Sequence, residues 1–206
     1  MLLVAGVLLV ALGFQGSSHP LAAPSPSPAA VKAAIKAPPV LPVPQALSTT
    51  RSLPLTLRIP ALGMSVPLLS LGLNADGTVQ VPAVTTQPGW FRLGVTPGQI
   101  GSAVILGHVD SYLGAGIFFK LRTLAPGDQV DVDLTDGDTA QFTVDSVAMY
   151  SKLAFPARRV YASHGSSALQ LVTCGGVFDH QTGHYLSNIV VYTSLSAVLP
   201  PVPPAT

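Results

Sequence analysis

Between residues 55 and 195 apolar positions come in short runs, never in a long helical stripe. The runs cover 55–59, 103–106, 130–134, 141–144, 168–173 and 188–192. No longer window shows a clear 3.6-residue periodicity. In the third run Val130, Val132 and Leu134 alternate with Asp131 and Asp133, which marks a strand with one wet face. Turn signals separate the runs: Asp76-Gly77, Pro97-Gly98, Pro126-Gly127-Asp128 and Asp136-Gly137-Asp138. Some seven or eight short strands over about 140 residues predict an all-β fold, either a closed barrel or a sandwich.

The flanks read differently. Residues 1–14 are continuously apolar, yet at about 1.5 Å per residue they reach about 21 Å, short of the ~30 Å hydrocarbon core. No Lys or Arg precedes Lys32, so the basic opening of a secretory signal is missing. The segment is expected to be an apolar leader or the remainder of a longer membrane anchor. Residues 15–52 form a Pro-rich linker; nine prolines fall between Gln15 and Pro54, and such a stretch favours an extended spacer. The expected domain covers 53–195, and 196–206 is a second Pro-rich tail. The simplest arrangement is a stalked domain on the extracellular side of the plasma membrane, anchored at its N-terminus or secreted.

Composition narrows the chemistry. Of 206 residues only 9% are charged, against roughly 25% in an average soluble domain. All nine acidic residues are Asp and the net charge is +1, so no basic field exists to attract nucleic acid. A single Cys excludes an intrachain disulfide framework and a multi-thiolate metal site.

That thiol, Cys174, follows the apolar run 168–173 and precedes Gly175-Gly176, which would let a substrate backbone approach the sulfur. His108 stands in a matching place, directly after Val104-Ile-Leu-Gly107. Two strand ends carrying a thiol and an imidazole can meet on one barrel rim. A thiol needs such a neighbour to become an effective nucleophile. From the residues alone, an inert buried thiol and a catalytic one both stay open.

Leu171-Val-Thr-Cys174 resembles the TLxTC signature of sortases, the cell-wall cysteine transpeptidases of Gram-positive bacteria, and Gly107-His-Val-Asp-Ser111 resembles their histidine segment. Gly89-Trp-Phe91, Phe118-Phe-Lys-Leu121, Gly127-Asp128, Lys152 with Phe155-Pro156, Val160-Tyr161, Thr173-Cys-Gly-Gly176 with Phe178-Asp179, and Asn188-Ile-Val-Val-Tyr192 are similar, in order and spacing, to class F sortases of actinobacteria. The resemblance implies an eight-stranded β-barrel with short helices or 3-10 turns, and no cofactor or metal. It implies that Cys174 attacks the Thr–Gly amide of an LPxTG-like sorting signal. His108 would then protonate the departing amine and deprotonate the acceptor amine, from a cell-wall precursor or pilin. Thr173 would support the nucleophile, and Asp110 and Ser111 would orient His108 or merely form a turn.

One family feature is missing. Sortases carry a catalytic Arg in or just before the last strand, but no Lys or Arg follows Arg159 here. Where that Arg is expected the chain reads Gly183-His-Tyr-Leu-Ser-Asn188. Arg92 is the first candidate to replace it, followed by Asn188 and His184, with help from backbone amides near Gly175. The missing cation also supports the rival reading, a weak or inactive sortase-like domain used for extracellular binding.

Overall fold

The computed structural model describes residues 51–201; the leader, most of the linker and the end of the tail lie outside the described residues. Eleven strands form: β1 (Pro54–Ile59), β2 (Met64–Pro67), β3 (Leu69–Leu71), β4 (Gly89–Phe91), β5 (Gly101–Leu106), β6 (Asp110–Ser111), β7 (Gly114–Ala115), β8 (Gln129–Leu134), β9 (Thr139–Ser151), β10 (Ser167–Asp179) and β11 (His184–Leu199). Helical structure among the described residues amounts to 3-10 turns at Pro60–Leu62, Leu121–Thr123 and Lys152–Ala154, and one short helix, α1 (Ala157–Tyr161). No helix among them is long and apolar enough to cross a membrane.

Nine strands share one sheet in the order β2-β1-β8-β9-β11-β10-β5-β4-β3, while β6 and β7 form a separate hairpin. The two edges, β2 and β3, are halves of one stretch interrupted only at Leu68. The Leu68 amide donates to the Leu55 carbonyl at 2.8 Å, and the next amide, Leu69, to Pro88 at 2.9 Å. One segment thus hydrogen-bonds first to β1 and then beside β4, which nearly closes the sheet into a barrel. Counted as one strand, it gives the eight that the resemblance implied.

Each apolar run finds its physical reason here. All six residues of β5 are buried, because both of its faces are covered, and a strand covered on both sides reads as continuously apolar. Ala103 and Ile105 join the barrel interior with Phe118, Phe142, Leu169 and Leu171. Val104 and Leu106 face outward into a second cluster with Val172, Val190, Tyr192 and Val160 of α1. The expected wet face of β8 is drier than its pattern suggested. Asp131 is only 6% exposed and accepts from Gln129, while Arg58 lies 3.6 Å from it and donates to Asp133 at 2.9 Å.

The last three barrel strands outrun the apolar runs that announce them. β9 and β10 have 13 residues and β11 has 16. Apolar residues mark only the part of a strand that covers the core. Beyond it polar residues keep pairing as hairpin arms, with register shifts at Tyr192/Thr193 and Leu195/Ala197.

Phe118 is fully buried and its amide donates to the His108 carbonyl at 2.9 Å. Replacing Phe118 by Ala is expected to cost about 3–5 kcal/mol by loss of burial and cavity formation. Urea unfolding should show the midpoint falling in proportion.

Candidate active site

The site follows from one pairing. β5 and β10 run parallel with Ser167 opposite Gly101 and Val172 opposite Leu106, and the Gly107 amide then donates to the Val172 carbonyl at 3.1 Å. Cys174 lies two residues beyond Val172, and His108 lies two beyond Leu106. Side chains alternate along a strand, so both continue the outward face that Val172 and Leu106 occupy. The two residues, 66 apart in sequence, therefore stand at the same level on one face.

The strand does not end at the thiol, as the sequence led us to expect. β10 continues through Cys174 to Asp179, with a register shift between Gly175 and Phe178. Gly176 makes the shift possible by adopting φ 78°, a conformation that other residues take only under strain. Cys174 is half-buried, as suits a nucleophile that must meet substrate.

His108 is held from behind. Its Nε2 lies 2.7 Å from the Pro82 carbonyl oxygen. A carbonyl only accepts, so Nε2 carries the proton and Nδ1 remains to exchange one. The backbone is fixed by the β6–β7 hairpin, where Gly116 donates to Val109 at 2.9 Å. A Cβ at Gly116 would come within 2.5 Å of the His108 oxygen, so only glycine permits this approach. Asp110 and Ser111 do not orient the imidazole through their side chains. Asp110 accepts from the Tyr185 hydroxyl, and the Ser111 hydroxyl accepts from the Leu113 amide at 3.1 Å.

On the other flank, Cys174 pairs with Asn188, and Asn188 with Tyr150 of β9. Cys174, Asn188 and Tyr150 thus form a row across β10, β11 and β9, with His108 just past the end of β5 beside it. Asn188 is 2% exposed, and its side-chain amide has no hydrogen-bond partner among the described residues. Thr173 points to the barrel side behind the thiol, its hydroxyl buried without a partner. Gly175 is packed so closely that a Cβ would meet Ile189 at 2.6 Å.

The other two candidates are not brought to the row. β4 runs antiparallel to β5, with Gly89 opposite Leu106, so the chain moves away from His108 as it approaches Arg92. At about 3.3 Å per residue, the two residues from Leu106 to His108 and the three from Gly89 to Arg92 together put about 16 Å along the strands between His108 and Arg92. Arg92 instead packs over Gly72, its carbonyl accepting from Arg51 at 2.6 Å. His184 is exposed at the hairpin tip opposite Asp179, four residues before Asn188.

Sequence reasoning missed Pro82 and Tyr185. Tyr185 ties the β10–β11 hairpin to the β6–β7 hairpin through Asp110 and meets Phe178 edge to face, centroids 5.1 Å apart. No local pattern announces either contact, since each depends on segments far apart in the chain.

The arrangement is a thiol flanked by a single-tautomer imidazole and an unpartnered amide. The family model of the sortase domain matches residues 57–196. The chain belongs to the sortase family. Members of this family are cysteine transpeptidases, and solved sortases share the fold. Sortase C from Streptococcus pneumoniae is 19% identical with a TM-score of 0.55, over 76% of this chain and 72% of that one. Sortase C1 from Streptococcus agalactiae is 19% identical at 0.54, covering 74% and 71%. Sortase A from Listeria monocytogenes is 14% identical at 0.54, covering 72% and 90%. No curated protein matches the chain.

The Asp110 hydrogen bond, then partial burial and the charges of Asp110 and Cys174 raise the Tyr185 pKa above the usual tyrosine value. A folded pKa above the unfolded one favours the folded state below the unfolded value, and that contribution disappears as pH rises through the folded one. Asp110→Asn should therefore move the Tyr185 phenolate transition to lower pH, read by NMR of labelled tyrosine.

Proposed function

We propose that this sortase is a class F-like transpeptidase that cleaves an LPxTG-like sorting signal. The Cys174 thiol passes its proton to His108 Nδ1, and the thiolate attacks the Thr–Gly carbonyl carbon; the C–S bond forms and the carbonyl pair moves onto oxygen. Collapse of that tetrahedral species breaks the C–N bond, and the departing amine takes its proton from His108 Nδ1. An acceptor amine, from a cell-wall precursor or pilin, then loses a proton to His108 and attacks the thioester; the C–N bond forms, the C–S bond breaks, and the departing thiolate takes that proton back from His108. The single observation that supports this reading is the parallel β5–β10 register, which ends with Val172 opposite Leu106, two residues before Cys174 and His108. The motif order from Gly89 to Tyr192 supports the class, and the apolar leader with its Pro-rich spacer supports display outside the plasma membrane.

A second reading, a sortase-like binding domain, is favoured by the lack of any Lys or Arg after Arg159. Intact-mass spectrometry with an LPxTG peptide separates the two. The enzyme accumulates a thioacyl adduct that an added amine discharges, and Cys174→Ala forms none. His108→Ala should slow acylation by about 10²-fold or more. A parent protein that binds the peptide without ever forming the adduct would establish the binding domain instead.

A further inference from the structure

A thiolate attacking a carbonyl builds a negative charge that needs a donor, and removing one such donor typically costs about 100-fold in rate. The row beside Cys174 offers the neutral amide of Asn188. A cation lies two residues along the chain from Asn188's partner Tyr150 on the neighbouring strand. β9 pairs Tyr150 with Asn188 and Ser151 with Ser187, and Lys152 is the next residue. There the Leu153 amide donates to the Ser151 hydroxyl at 3.3 Å, turning the chain into the 3-10 turn Lys152–Ala154, which packs against β11.

Lys152 is only 6% exposed. Among the described residues it has no ion pair and no side-chain hydrogen bond. At that exposure the aliphatic stem is covered while the ammonium keeps only a narrow contact with water, so a charged head with no protein partner is left to meet an anion. Arg159, the other cation reaching this row, is already engaged: it donates to the Tyr150 hydroxyl at 3.2 Å and lies 4.2 Å over the Tyr192 ring. Arg122 lines a groove with Met149, Gly176 and Ile189, and the Lys152 and Arg159 variants separate these cations from Lys152.

We propose that Lys152, with Asn188, forms an anion-binding site at Cys174 and supplies the positive charge that the last strand lacks. Its ligand is the oxyanion of the acyl-transfer step, so this role rests on the transpeptidase reading, while anion binding itself does not. The charge arrives from the end of β9 instead of from β11, and the asparagine opposite the thiol leaves room for it.

The chain's single cysteine makes a direct test available on the full chain. Iodoacetate carries a carboxylate and iodoacetamide does not. Both alkylate the same thiolate with loss of iodide, so the ratio of their rates cancels thiolate fraction and accessibility. Lys152→Met and Lys152→Gln should each lower the iodoacetate/iodoacetamide ratio about fivefold, the effect of one charge at ~4 Å in a water-like medium. Lys152→Arg should keep it, and Asn188→Arg added to Lys152→Met should restore it. Unchanged ratios in both folded Lys152 variants overturn the proposal, as does a loss found in Arg159→Met alone. Acylation by the LPxTG peptide, measured in parallel, should fall about 100-fold in Lys152→Met. If the parent never acylates but the ratio still depends on Lys152, the transpeptidase reading fails and the anion site stands.

Discussion

The whole site hangs on the parallel pairing of β5 with β10. Parallel neighbours cannot be joined by a tight turn, so the chain must travel from Leu106 to Ser167 before returning. That excursion builds the β6–β7 hairpin, β8, β9 and α1, which are most of what surrounds Cys174. The ladder fixes the level of the thiol against the imidazole, and the crossover supplies the residues that fix the His108 backbone, cap the outward face and end β9 beside the row. Register is strongly specified, because a slip by one residue would exchange the two buried faces of β5.

Around Cys174 the protein tolerates groups that an ordinary core would not. On β10 the Thr173 hydroxyl and the Gln170 Oε1 are buried without a partner, and beside them Asn188 and Lys152 are largely covered with no side-chain hydrogen bond among the described residues. Each such group costs about 1–3 kcal/mol or more. Their concentration on one short stretch of neighbouring strands contrasts with the far side of the barrel. There Asp131 and Asp133 are satisfied by Arg58, Gln129 and Thr139. Polar groups left waiting in one place are what a site for a transient charge requires. Tyr161 shows that the rule is not universal: its hydroxyl is also buried and unpartnered, in the second cluster, and burial alone raises its pKa.

The barrel was legible where side chains carried the information. Six apolar runs each lie in a real strand, and β5 and β8 begin and end within two residues of theirs. The strands β2, β3 and β4 passed unseen because backbone pairing holds them, with too few residues for any alternation to show. Cys174 and His108 were legible as residue types at the ends of apolar runs. Their companions were not, since Pro82 touches His108 and Tyr185 touches Asp110 only through the folded chain. Arg92 misled for a related reason: nearness in sequence to the His108 strand becomes distance when the connecting strand runs antiparallel.

The stretch from Met64 to Leu71, which bonds to both borders of the sheet, has a bearing on how this protein stays in solution. With 9% charged residues the chain has little electrostatic repulsion to keep copies apart. An open sheet of this length would present two rows of unpaired backbone groups, ready to recruit another molecule. Laying one segment along both borders covers much of each row. Colloidal behaviour is thereby entrusted to topology instead of charge, and Leu68, where the segment changes partners, becomes the place where an inserted or deleted residue would expose both rows together.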